Sequence, residues 1–302
     1  MLAQGYPTKS IRIIVPVAPG GNVDIVARTL AAELTKSLGQ TVIVENRPSA
    51  ASLIGTQQVA KAAPDGYTLL WGSTNTLCMG TALYATAPPT NDYAAITPVI
   101  IFHNVLVLHP GVRANTVAEL VDLAKARPDT LRFASSGEGS TNHLTAALFQ
   151  MLTKTRTVHV PYKGGGPALN AVVSGETQLS FPSPIPVAPH VKSGRVRALG
   201  FTGDTRVSLL PDVPTIAEAG LPGFKFDAGW HAWFAPARTP PAVISRVYAE
   251  VKKALEAPKL REAFIAGGYE PKGDPPVEFQ KTFRADIKHY AAIVKAAKIE
   301  AQ

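Results

Sequence analysis

Cysteine is almost absent from this chain of 302 residues: Cys78 stands alone. A lone thiol excludes an intrachain disulfide framework and a cysteine-built metal site. Nor is there a run of about 18 apolar residues, the length a membrane-spanning helix needs. Charged residues make up only 17% and hydrophobic residues 46%, the balance of a globular chain rather than a disordered one. The formal net charge of +8 comes without a dense Lys/Arg block and without interleaved aromatics. A nucleic-acid footprint normally clusters, so nucleic acid is not an expected partner. A diffuse positive field that raises the encounter rate of a small anion fits better. No solenoid repeat or low-complexity tract appears. The opening Met1-Leu2-Ala3-Gln4-Gly5-Tyr6-Pro7 has no charged stretch followed by an apolar one. Either the chain never had a signal peptide, or this is a mature form with an added start residue.

What the chain does have is glycine-rich turns between strands and helices. Ile11-Arg12-Ile13-Ile14-Val15 reads as a buried strand, and Val26, Leu30, Leu34 and Leu38 as the apolar stripe of a helix. Between them lies Pro16-Val17-Ala18-Pro19-Gly20-Gly21-Asn22-Val23-Asp24. A helix start offers unpaired N–H groups and the positive end of its dipole, and glycine lets an anion come close. The same turn also reads as a plain tight connection. Repetition favours the functional reading. Leu131 to Ser135 runs into Ser136-Gly137-Glu138-Gly139-Ser140-Thr141-Asn142-His143 and a helix striped by Leu144, Leu148 and Leu152. Thr157 to Val160 runs into Pro161-Tyr162-Lys163-Gly164-Gly165-Gly166-Pro167, with Pro167 suited to a first helical position. In a parallel sheet such loops gather at the carboxyl ends of the strands, where ligands bind.

Further strands are expected at 41–45, 68–71, 96–101, 105–108, 178–181, 197–201 and 233–235, and a short helix at 54–62. Gly72-Ser73-Thr74-Asn75 reads as a fourth polar loop. Thr116/Glu119 and Thr215/Glu218 are spaced as capping boxes and predict helix starts. Two closing helices follow Ile244, Val247, Tyr248, Val251, Leu255 and Phe279, Phe283, Ile287, Tyr290, Val294, and are expected to return to the first domain. The fold class is α/β.

Several ordered motifs carry a resemblance. Ile14-Val15-Pro16 with Ala18-Pro19-Gly20-Gly21, Val44-Glu45-Asn46-Arg47-Pro48 and Ala63-Pro64-Asp65-Gly66-Tyr67-Thr68-Leu69-Leu70 stand in sequence. So do His159-Val160-Pro161-Tyr162-Lys163-Gly164, Leu210-Pro211-Asp212-Val213-Pro214-Thr215, Ala217 to Gly223 and Phe234-Ala235-Pro236. Over nearly its whole length the chain resembles Bug-type receptors, the substrate-binding proteins of tripartite tricarboxylate transporters. That resemblance implies a two-lobed periplasmic-binding-protein (Venus flytrap) fold with a ligand cleft between lobes, in the periplasm, its signal peptide removed. The expected lobes are residues 1–102 with 228–302, and 103–227. The implied partners are a small organic acid and membrane transporter subunits, with the receptor itself a monomer. No catalytic group, cofactor or metal is implied.

The chain departs from the family at Val17, where Phe is usual, and at Ser49-Ala50-Ala51-Ser52, where glycines are usual. Phe181-Pro182-Ser183-Pro184 lacks the Asp that many relatives carry there, which weighs against an ammonium-bearing ligand. Trp230, His231 and Trp233 offer aromatic surface for an aromatic acid, or else pack the hinge. The expected ligand contacts are Val17, Ala18, Pro19, Gly20, Gly21, Asn22, Ser73, Thr74, Ser135, Gly139, Ser140, Thr141, Tyr162, Lys163, Gly164, Pro182, Ser183, Trp230 and His231. One carboxylate is expected on the N–H groups of the first loop, and a second acidic or polar end at Ser140, Thr141 and the Tyr162 loop. Asp24 is expected to brace the first loop, and His143 and His159 to be structural. Three rival readings remain. A receptor for an amino acid or other solute could serve a signalling partner. A hydrolase could use Ser140 and His143, though no Gly-x-Ser-x-Gly elbow is present. A nucleotide site at Gly137 to Asn142 lacks its third glycine.

Overall fold

Strand β1 (Ile11–Val15) shows why its sequence forms a buried parallel strand: only Arg12 is exposed. Ile11, Ile13 and Val15 enter the core on one face of the sheet, while Ile14 enters the core on the other. That is the period-two alternation of a strand covered on both sides. The computed structural model describes residues 5–17, 19, 22–49, 52–224, 226 and 229–296. After β1 come α1 (Asn22–Leu38), β2 (Val42–Asn46), α2 (Leu53–Ala60) and β3 (Thr68–Ser73). A π-helix (Thr74–Met79) and α3 (Gly80–Leu83) lead by way of a 3-10 turn to β4 (Tyr93–Phe102).

The middle of the chain supplies β5 (Val105–Leu108), α4 (Val117–Ala126), β6 (Arg132–Ser135), α5 (Thr141–Thr153), β7 (Val158–Pro161) and α6 (Gly165–Ser174). It continues with β8 (Leu179–Ser180), α7 (Pro184–Lys192) and β9 (Arg197–Phe201). The chain then returns through β10 (Gly229–Pro236), α8 (Pro241–Glu256), α9 (Pro258–Ala266), β11 (Glu270–Pro271) and α10 (Pro276–Ala296).

These strands make two sheets. One has six strands in the order β11-β4-β10-β3-β1-β2, and the other five in the order β7-β6-β8-β5-β9. In the first, β1 runs parallel to β2 and β3, and β10 lies antiparallel between β3 and β4. In the second, β6 runs parallel to β7 and β8, while β5 is antiparallel to β8 and β9. Helices α1 and α8 cover one face of the first sheet through Val26, Leu30, Leu34, Val247 and Val251. Its other face takes α10, with Phe279 and Phe283 against Phe234. The closing helices thus return to the first sheet, as expected, with α9 and β11 inserted between them.

The core that begins with Ile14 and Leu70 continues through Leu106 and Leu108 to Phe133 and Leu144, so one apolar cluster joins both sheets. Val105 and Val107 face the opposite side of the second sheet, with Leu169, Val172 and Phe201. The first crossing between sheets, His103 and Asn104, is buried. Asn104 N–H donates to Thr202 Oγ1 at 3.0 Å and Thr202 N–H donates back to Asn104 O at 2.9 Å. Phe226 N–H, on the returning segment, donates to Thr202 O at 2.8 Å. Thr202 therefore laces the two crossings together.

Some expected elements differ. Leu152 is 45% exposed, and Phe149 takes the buried position beside Leu144 and Leu148. Pro167 is the third residue of α6, not the first, because Gly164 is its N-cap. Thr215 and Glu218 exchange the expected backbone bonds, at 2.8 and 3.1 Å, but close only a turn. Gly220, at φ 112°, and Pro222 end it. Gly72 and Ser73 extend β3 rather than forming a loop, and β10 spans eight residues, not three.

Candidate functional site

At the carboxyl end of β1 the loop is held from outside by Asp24, buried in the first turn of α1. Asp24 Oδ1 accepts from Asn46 Nδ2 at 2.9 Å, and Oδ2 from Arg28 Nε at 2.9 Å. Asn46 Nδ2 also donates to Val17 O at 3.1 Å. On the other side Ser52 Oγ donates to Pro16 O at 2.9 Å. Gly55 lies so close that an added Cβ would sit 2.8 Å from Pro16 Cβ. The expected bracing role of Asp24 thus has its geometry. Of the contacts expected here, Val17 is half-buried and Pro19 exposed. Ala18, Gly20, Gly21 and the Asn22 side chain lie outside the described residues.

The chain leaving β3 turns at once into the π-helix. Ser73 caps it, its Oγ accepting from Thr76 N–H at 3.2 Å, while Thr76 Oγ1 accepts from Ser73 N–H at 2.9 Å. Thr74 Oγ1 accepts from Trp230 N–H at 2.9 Å. Ser73, Thr74 and Thr76 are therefore buried with their hydroxyls committed, and Asn75 is the exposed side chain here.

From the second sheet, β6 delivers the loop 136–140. Ser140 is the N-cap of α5, with its hydroxyl donating to Gly137 O at 2.7 Å and accepting weakly from His143 N–H at 3.4 Å. Asn142 Nδ2 fixes the first turn of α5 on Phe181 O at 2.6 Å. Gly139 has φ 67°, and an added Cβ would meet Leu83 Cδ1 at 2.5 Å. Only glycine lets this loop close on α3. The result is a cleft of about 160 Å³ between the two sheets' strand ends, bordered by Ser52, Asn75, Thr76, Glu138, Gly139 and Ser140. Among the described residues no basic side chain lines it.

Several expected contacts lie elsewhere. Tyr162 turns its hydroxyl to Glu176 Oε1 at 2.8 Å, Lys163 is exposed, and Gly164 holds φ 112° beside them. Pro182 O accepts from Val105 N–H at 2.9 Å, and Ser183 begins α7. Thr141 is buried in the first turn of α5. Trp230 donates through Nε1 to Asp286 at 2.7 Å and packs edge-on against Phe279 and Phe283. His231 accepts from Trp71 Nε1 at 3.1 Å and stacks on Phe102. Trp233 is 1% exposed. The aromatic surface expected for stacking is thus spent on sheet and hinge packing.

Beneath the loop 136–140, side chains far apart in sequence meet. Parallel pairing sets His159 beside Phe133, and their rings stack at 4.7 Å. His143 stacks on His159 at 3.9 Å and lies 6.1 Å from Phe133, so the three rings form one cluster. The Glu138 carboxylate spans both imidazoles, 3.2 Å from His143 Nδ1 and 3.1 Å from His159 Nδ1. Ser135 Oγ lies 2.6 Å from His159 Nε2. Burial lowers the pKa of both histidines, that of His143 to about 4 with the adjacent His159 adding to the effect. Ser135 is wholly buried, so its hydroxyl positions the ring rather than meeting a ligand. In sequence, Glu138 reads only as a loop residue; strand register brings His159 to it, and no local spacing reveals that.

The tripartite tricarboxylate transporter family receptor (TctC) model matches residues 26–299. The chain belongs to that family. Its members are periplasmic solute-binding receptors, and the two sheets with their intervening cleft are the two-lobed periplasmic-binding-protein fold. The chain is 36% identical to BugT of Bordetella pertussis over 97% of its own length and 90% of that protein's. The structure of Rpa4515 from R. palustris with adipate superposes with a TM-score of 0.84 at 30% identity, covering 98% of this chain and 99% of that one. MatC of Rhodopseudomonas palustris, with bound malate, gives 0.79 at 30% identity, covering 96% and 100%.

Proposed function

We propose that this receptor captures a small organic acid with two carboxylates and delivers it, from the periplasm, to the membrane subunits of a tripartite tricarboxylate-type transporter. The observation that carries the reading is the cleft between the strand ends, where hydroxyl, amide and glycine groups stand with Glu138 and, among the described residues, no basic side chain. Anion recognition in such a cleft falls to backbone N–H groups at helix starts, which need no cationic partner; α5, whose N-cap Ser140 borders the cleft, is one, and we assign the start of α1 as the other. Adipate and malate, held by two family structures, are both dicarboxylates and support the class. An aromatic acid loses its main support because Trp230, His231 and Trp233 are committed to packing.

In this reading the first loop, Val17 to Asn22, takes one carboxylate, and the backbone N–H groups around Ser140 and Thr141 take the other, directly or through water, since the Ser140 hydroxyl proton is given to Gly137 O. Lobe one is residues 1–102 with 228–302 and lobe two 103–227, a division supported by the assignment of strands to the two sheets. A ligand touching both lobes binds the closed form better than the open one and shifts the population toward it. Each charge-assisted bond to a loop N–H contributes about 1.5–3 kcal/mol. Thermal melts against mono- and dicarboxylates, amino acids and model esters test the proposal. A dicarboxylate should raise Tm. A rise with amino acids alone, or ester turnover without carboxylate binding, would overturn it.

A further inference from the structure

We propose that Glu138, His143 and His159 form a binding site for a first-row divalent cation, Zn²⁺ foremost, in the wall of the cleft. Their ligand atoms all lie within 4.8 Å of one another. Two imidazoles and one carboxylate are a donor set that zinc accepts, with a fourth position left for water or an added ligand. The three side chains come from a loop, the first turn of α5 and β7, and neighbours fix the imidazoles. Ser135 Oγ holds His159 Nε2 at 2.6 Å, the kind of outer partner that orients a ligating imidazole. In the tautomer with Nε2–H donating to that hydroxyl, Nδ1 keeps its lone pair for a metal beside Glu138.

Electrostatics at His143 point the same way. Its Nδ1 accepts the Gly139 N–H at 3.1 Å, so this nitrogen carries a lone pair, yet Glu138 Oε2 is only 3.2 Å from it. The carboxylate oxygen and this unprotonated nitrogen repel at that distance, and a cation that takes over the Nδ1 lone pair from the Gly139 N–H turns the repulsion into ligation. Neutral imidazoles are the form a metal requires. A third point rests on the organic-acid reading, whereas the first two do not. Glu138 borders the cleft, where its charge opposes an anionic ligand, and a divalent cation cancels that charge.

The test titrates ZnCl₂ into the chelator-treated full chain by calorimetry, with no organic acid present and MgCl₂ as the hard-cation comparison. Saturable binding of one Zn²⁺ per chain is expected, well ahead of Mg²⁺. Glu138→Gln and His159→Gln should each weaken it at least about tenfold. His289→Gln, on the exposed face of α10, should leave it unchanged. Co²⁺ should give visible absorption bands that His159→Gln abolishes. The Glu138 side chain is 51% exposed, so Glu138→Gln leaves the fold intact and keeps the test decisive. Absence of saturable Zn²⁺ binding, or equal affinity in wild type and Glu138→Gln, would overturn the site. Failure of the organic-acid panel bears on the proposed function and leaves this result standing.

Discussion

Asn46 Nδ2 donates both to Asp24 Oδ1, at 2.9 Å, and to Val17 O, at 3.1 Å, so one amide ties the first turn of α1 to the loop that precedes it. Arg28 completes the frame, reaching Asp24 through Nε and Asn46 Oδ1 through Nη2 at 2.7 Å. The backbone at Val17 is thereby tied to α1 without a ligand; if the loop binds an anion as proposed, such a tie lowers the ordering cost of binding.

Asp24→Ala should therefore cost about 1–3 kcal/mol, since it removes one of the two acceptors of the Asn46 amide and the charge-assisted bond from Arg28. Urea unfolding measures this loss. Ligand affinity should fall with it, because the loop is no longer held. Unchanged stability would show that the frame contributes nothing to the loop.

Gly139→Ala should destabilise the chain more than Gly39→Ala. The two glycines have nearly the same φ, 67° and 66°, so the left-handed penalty of about 1 kcal/mol is common to both. Only at Gly139 does the added methyl meet a neighbour, Leu83 Cδ1 at 2.5 Å; at Gly39 nothing lies within 4 Å. Paired urea melts isolate the contact between the loop and α3. Equal losses would mean that the loop does not close on Leu83.

Stability should fall as pH drops from about 6.5 toward 4. His231 is buried, and burial lowers its pKa from 6.5 to about 4. Its folded value lies below the unfolded one, so the unfolded chain binds more protons in this window and gains on acidification. Stability is full above about 6.5 and the loss is complete below about 4, roughly 3 kcal/mol from this residue. His143 and His159, both lowered, add in the same direction. Urea melts across this range should show a shallower slope for His231→Gln, which still offers Trp71 an acceptor. An unchanged slope would remove His231 from the account.

The sequence made strands and covering helices legible wherever local periodicity dictated them. β1 and α1 lie where Ile11 to Val15 and the Val26, Leu30, Leu34 stripe place them, and the closing helices cover the first sheet. Long-range placement was less accessible. Nothing local marks Thr74 as the acceptor for Trp230, or shows that Gly72 and Ser73 continue a strand. The aromatic cluster at 230–233 reads equally as ligand surface or packing until α10 is seen covering it. Glu138, His143 and His159 are in plain view in the sequence, yet their meeting depends on the pairing of β6 with β7.

The most direct test of the organic-acid assignment is calorimetry of the purified chain against a chain-length series of aliphatic dicarboxylates, each paired with its dimethyl ester. Binding of one dicarboxylate per chain with roughly micromolar affinity is predicted, from two or three charge-assisted bonds less the entropy of capture. The matching diester should not bind. Heat from the diester equal to that of the acid, or no heat from any dicarboxylate while an amino acid binds, would contradict the account.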